Sequence, residues 1–166
     1  QMNEEQAPSS SSDDPLQYVT ADCRKLTKYA DCTFDLILEK GTLDAMLSND
    51  SEDAGVQNCR EIMAECSRLL KPGGVMLVVS HLNAHVQKGL DWLERVVLPG
   101  LRRKIGKNAT ESTGSFEIEV HGNGPDEASE EEEEPEVGPG VYIIHKHKTE
   151  DTDEEKATIP LKFFSY

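Results

Sequence analysis

Residues 34–47 read FDLILEKGTLDAML, and between the two apolar runs stand Glu39, Lys40, Gly41 and Thr42, with a second carboxylate, Asp44, two positions on. A strand that only filled a core would end in turn chemistry such as Asn-Gly. This one ends in a carboxylate, an ammonium and a flexible residue, the composition of the mouth of a site. Two other apolar runs also stop at polar groups: LQYVTAD (16–22) ends at Asp22-Cys23, and VMLVVS (75–80) ends at Ser80-His81. Three apolar runs that each end in a polar cluster mark one edge as the candidate site.

The elements that must bring these groups together are legible in the apolar pattern. Residues 16–22 form a short strand candidate, and 34–38 are nearly all apolar, as for a strand covered on both faces. Val56, Cys59, Ile62, Met63, Cys66, Leu69 and Leu70 recur at three and four residues, which makes one stripe of a helix over 56–70. Lys71-Pro72-Gly73-Gly74 stops that helix in a tight turn. Residues 75–80 then give the strongest buried-strand signal in the chain. Strand, helix and strand in this order imply a parallel sheet with right-handed crossovers. A further helix spans 84–97, bent or ended by Pro99-Gly100. Two strands, SFEIEVH (115–121) and GVYIIHKH (140–147), are joined without a helix, so they form an antiparallel hairpin at the edge of an otherwise parallel sheet. In such a sheet ligands bind beyond the carboxyl ends of the strands, which is where Asp22, Glu39 and Ser80 fall.

The segment FDLILEKGTLDAML, followed by an amphipathic helix and RLLKPGGVMLVVS, resembles the class I S-adenosylmethionine-dependent methyltransferases. Within them it resembles the methyltransferase-like proteins that include elongation factor 1A lysine methyltransferases. KPGG and the strand after it are common to the superfamily, whereas EKGTLDA is narrower. The resemblance covers residues 1–97 well, returns at 141–146 and is weak between. It implies a Rossmann-like α/β sheet, mostly parallel with a C-terminal antiparallel hairpin, and S-adenosyl-L-methionine as cofactor. It further implies methyl transfer to a protein, a lysine amine of a translation factor, in the cytoplasm. Asp22 matches the position that hydrogen-bonds the adenine amino group, with Cys23 beside it. Glu39 and Lys40 match the motif against the methionine end and the substrate entrance, Gly41 and Thr42 shape the turn, and Asp44 orients the segment that follows. Glu39 is the candidate to contact the amine. The family's glycine-rich loop and the acid ending its second strand have no counterpart here, which implies an N-terminally truncated domain with little activity alone.

Each candidate also has a purely structural reading. Asp22 could cap a turn, Lys40 could be a solvated loop lysine, Asp44 could be an N-cap, and His81 could be a solvated histidine rather than a base. The His145-Lys146-His147 run places at most two side chains on one face, so no metal is expected. The second function weighed is a catalytically dead interaction module whose acidic tract binds a basic partner. A nicotinamide-dependent oxidoreductase shares the sheet but leaves EKGTLDA unexplained.

Composition bounds the rest. The formal charge of −15 comes from 32 acidic against 17 basic residues, and much of the excess lies in two acidic tracts. Phosphate neutralisation needs a clustered basic surface, so nucleic acid is not expected as a partner; the basic run at 101–108 reads as a helix end. Cys23, Cys32, Cys59 and Cys66 lack zinc-site spacing and read as free thiols in a reducing compartment. No apolar stretch reaches the roughly 20 residues of a membrane span, so no membrane association is expected. The organisation expected is a polar linker-like segment at 1–15 and a partial methyltransferase domain at 16–147 with an acidic insertion at 122–140. An acidic and then apolar tail fills 148–166.

Overall fold

The computed structural model describes residues 16–49, 51–103, 115–124, 137–148 and 159–165. The polar start (1–15), most of the basic run (104–108) and the centres of both acidic tracts (125–136, 149–158) lie outside them.

The first strand, β1 (Phe34–Lys40), leads through Gly41 into helix α1 (Thr42–Asn49) and then α2 (Glu52–Leu69). The stripe expected on α2 is the buried one: Val56, Cys59, Ile62, Met63 and Leu69 all lie in the core. Strand β2 (Leu70–Ser80) runs parallel to β1, with Leu38 opposite Leu77 and Lys40 opposite Val79. The KPGG turn is resolved as a bulge at the start of β2, because Phe34 pairs with Leu70 whereas Leu36 already pairs with Val75. Gly73 takes a φ of +88°, and a Cβ on Gly74 would come within 2.9 Å of the Asp35 carbonyl oxygen. Both glycines are therefore needed at that bulge.

After β2 come α3 (Gln87–Trp92), a π turn (Leu93–Val97) and α4 (Leu98–Arg102). Of the two expectations for Pro99-Gly100, bending or ending the helix, ending is excluded, since the helical path continues through a π turn to Arg102. Pro99 has no N–H to give the Arg95 carbonyl, and Arg60 Nε on α2 donates to it instead at 2.6 Å. Gly100 allows α4 to lie close on α2, because a Cβ there would sit 2.5 Å from Met63 Cβ.

The sheet is completed by β3 (Ser115–His121), β4 (Gly140–His147) and β5 (Leu161–Phe164), in the order β1-β2-β4-β3-β5. Only β4 is antiparallel to its neighbours; β5 is parallel to β3. The hairpin is thus present, but β4 is inserted beside β2 rather than set at the edge. The edge is β5, which sequence reasoning had assigned to the tail.

One face of the sheet carries the core: Met76, Val78, Phe116, Ile118, Val120, Tyr142 and Ile144 are buried there with the helices. Lys146 shares that burial and donates from Nζ to the carbonyls of Ser67 and Leu70, both at 2.8 Å, closing the carbonyl end of α2. Burial lowers its pKa. On the other face Leu36 and Leu38 are 64 % and 65 % exposed, and no helix covers them among the described residues.

The strand expected over 16–22 does not form. Those residues make no ladder, and Leu16, Tyr18 and Val19 are exposed. A strand exists only where another offers hydrogen bonds, and this segment lies on no strand edge among the described residues.

Candidate active site

Glu39 is the next-to-last residue of β1 and points to the helical side, only 6 % exposed. Its Oε1 accepts hydrogen bonds from the backbone N–H of Thr42 at 2.6 Å and Leu43 at 3.1 Å. A carboxylate thereby satisfies two of the donors that α1 leaves open at its start. The turn between them requires a left-handed residue, and Gly41 supplies it with φ +77°. Glu39 Oε2 is buried and has no hydrogen-bond partner. Burial pushes the Glu39 pKa up, further raised by the nearby Asp44 charge and opposed by the two capping N–H groups.

Asp44 lies in the first turn of α1 but is not its N-cap. Its Oδ1 accepts from Ser80 Oγ at 2.6 Å, and its Oδ2 accepts from the His81 backbone N–H at 3.2 Å and lies 3.2 Å from His81 Nδ1. Ser80 Oγ in turn accepts from Leu82 N at 3.0 Å. Sequence reasoning left Asp44 as a cap or an orienting group. It is a brace that ties the start of α1 to the end of β2.

Glu39 and Ser80 thus stand at the same end of the two parallel strands. Lys40 is exposed at that end, in register with Val79. Cys23 is half-buried and comes near Glu39, whose charge adds to the burial that raises its thiol pKa. Asp22 is not turned into the group. It lies in an exposed turn where Arg24 donates to it from Nε at 3.0 Å and Nη2 at 2.8 Å, and this pairing lowers its pKa to about 2. Arg24 also donates to Asn58 on α2.

A separate cleft of about 670 Å³ lies between residues 24–31 and the outer side of α2. Several of its charges are paired with one another: Arg68 binds Glu65 and Asp31, and Arg103 faces Glu61. His145 and His147 stack at 6.4 Å, and no cluster able to hold a metal occurs among the described residues.

Two features of this edge were missed in the sequence. Asn83, buried in the loop after β2, donates to the carbonyls of Asn123 and Gly138, at the two ends of the acidic insertion. A lone asparagine carries no sequence signal for that. The capping by Glu39 did carry one, a carboxylate placed three and four residues ahead of the helical N–H groups it receives.

Residues 1–78 match the family described as a methyltransferase domain. The EEF1A lysine methyltransferase 4 of Mus musculus is 35% identical over 88 residues, which is 46% of this chain and 34% of that protein. The eEF1A lysine and N-terminal methyltransferase of Homo sapiens is 39% identical over 61 residues, 37% of this chain and 9% of that one. Over these residues the chain is similar to methyltransferases, in keeping with its resemblance to the class I S-adenosylmethionine-dependent enzymes. It spans about a third or less of the length of these relatives. Among solved structures, a Thermus thermophilus protein described as a DNA modification methylase aligns with TM-score 0.47 at 13% identity, covering 81% of this chain and 54% of that one.

The cofactor of this class is S-adenosyl-L-methionine. The described residues fit one end of it: the bare Oε2 of Glu39 is a buried acceptor that lacks an N–H donor. They do not fit the other, because the Asp22 carboxylate is taken by Arg24.

Proposed function

We propose that the chain contributes to a protein-lysine N-methyltransferase of the cytoplasm whose substrate is a translation factor. The observation that carries this reading is the Glu39 carboxylate, buried with one oxygen unpartnered at the carboxyl end of β1. An unpartnered carboxylate oxygen out of water is costly, and an ammonium or amine N–H relieves it. The names of the curated relatives, lysine methyltransferases of elongation factor 1A, support the substrate class.

When bound, the cofactor supplies an electrophilic methyl group on a sulfonium sulfur. The work left to this chain is to bring an amine to that edge, orient it and keep water from it. Glu39 receives an N–H, and Oε1, held by the start of α1, fixes the direction of Oε2. The acidic insertion springs from the same edge, its ends tied by Asn83, which favours approach of a basic polypeptide. The test is to express the full gene product with and without Glu39→Gln and read lysine methylation of elongation factor 1A by mass spectrometry. New methyl-lysine that vanishes with the substitution supports the reading. Methylation unaffected by Glu39→Gln, or none at all, overturns it.

A further inference from the structure

Resting on that reading, we infer that His81 is the acceptor of the substrate ammonium's proton and that Asp44 is its positioning residue. A lysine side chain is protonated at neutral pH and has no lone pair to attack with. A protein that methylates it gains from a base at the place of reaction, and the base must lie at the edge where Glu39 waits.

Among the described residues two rings at that edge face a carboxylate: His121 faces Glu119 on the side of the sheet away from the helices, and His81 faces Asp44, a residue of the helix that Glu39 caps. Asp44 Oδ2 accepts from the backbone N–H of His81 and lies 3.2 Å from its Nδ1, so one oxygen holds the start of the loop and stands beside the ring. The Asp44 carboxylate is itself held, its other oxygen accepting from Ser80 Oγ, and its side chain is only 17% exposed. The His81 side chain is 61% exposed. A ring that gives its Nδ1 proton to a carboxylate has its lone pair on Nε2. Here Nε2 belongs to an exposed ring, while Nδ1 faces the protein.

The charged groups that face this pair come from each neighbouring element. Glu39 on β1 feels the Asp44 charge, as does Tyr142 on β4, whose hydroxyl donates to the Leu82 carbonyl. Two carboxylates therefore draw a cation to one place, and the exposed His81 imidazole beside Asp44 is the base offered to it there. The step balances: the N–H bond of the ammonium breaks, its electron pair stays on nitrogen as the lone pair of a neutral amine, and the proton forms a bond to Nε2. The positive charge moves to the imidazolium, beside Asp44, and the exposed ring returns the proton to water. Hydrogen bonding to a carboxylate that orients the imidazole and stabilises its cation is an established arrangement for a histidine base.

Nuclear magnetic resonance of the full 166-residue chain tests this without any methyl transfer. Long-range proton–nitrogen spectra should show His81 with its proton on Nδ1 and a bare Nε2, and Asp44→Ala should shift the ring toward the Nε2–H form. Addition of Nα-acetyl-lysine methylamide should then move the Nε2 resonance, whereas the norleucine analogue, lacking the amine, should not. A wild-type ring protonated on Nε2 overturns the proposal even if Asp44→Ala fails to fold. Equal response to the two probes overturns it as well. The tautomer is a property of the free chain, so failure of the lysine methyltransferase reading leaves this measurement standing, and the reverse also holds.

Discussion

At Glu39 two demands meet: a helix start that favours a negative charge and a buried site that disfavours one. Burial prevails, and the pKa rises. A carboxyl group whose pKa is higher folded than unfolded adds most to stability below its unfolded value, and that contribution is lost as pH climbs through the folded one. Glutamine keeps an oxygen for the N–H groups of Thr42 and Leu43 but carries no charge. Glu39→Gln is therefore expected to raise the melting temperature at neutral pH, with the gain shrinking to nothing as pH falls below the ordinary glutamate value; thermal unfolding followed across pH checks the trend. Gly41 answers a different demand. Nothing lies within 4 Å of a Cβ there, so Gly41→Ala isolates the strain of its φ of +77°. A cost of about 1–2 kcal/mol is expected, read by urea unfolding.

Sequence legibility varied with how local the cause of each element was. The parallel pair β1–β2 and the helix between them were readable because their apolar periods lie within single segments, as in the stripe from Val56 to Leu69. What escaped depends on contacts between distant segments. The apolar run from Leu16 to Val19 has strand composition but no ladder to join, and β5 becomes a strand only because β3 offers an edge to Leu161–Phe164. Helix continuation through Pro99 likewise depends on Arg60, 35 residues away from the carbonyl it satisfies. At the candidate site, the glycine turn and the carboxylate were visible, whereas the brace from Asp44 to Ser80 exists only in the folded chain. The packing of α3 gives the sharpest test at this scale. A Cβ on Gly89 would stand 2.0 Å from the carbonyl oxygen of Asn83, a backbone atom of the same loop that anchors the acidic insertion. Gly89→Ala is expected to cost about 1–3 kcal/mol or more by forcing helix and loop apart. Urea unfolding measures it, and increased hydrogen exchange confined to residues 82–92 would mark the loop as the part displaced.

Across the whole molecule, the sheet has helices on one face and bare apolar residues on the other. Leu36 and Leu38 lie exposed on β1, whose outer edge carries no partner strand among the described residues. This geometry bears on how much of a cofactor the 166-residue chain can hold. Resemblance to the methyltransferases implies that a glycine-rich loop approaches the methionine carboxylate and an acid grips the ribose. The first glycine in this sequence is Gly41, already committed to the start of α1. Asp22, the residue matched to adenine, has both carboxylate oxygens taken by Arg24. What remains is Glu39 Oε2 and the backbone around Cys23. Each missing polar contact costs about 1 kcal/mol or more, and about 1.4 kcal/mol is tenfold in affinity. Calorimetric titration of S-adenosyl-L-methionine into the 166-residue chain is thus expected to show no saturation at micromolar concentrations. Any weaker binding at higher concentration should fall with Lys40→Ala and stay unchanged with Asp22→Ala, whose carboxylate is already taken by Arg24. Micromolar binding by the 166-residue chain would mean that the described residues suffice to hold the cofactor. Weak binding indifferent to Lys40→Ala would take Lys40 out of the site, and binding lost with Asp22→Ala would put Asp22 back into it.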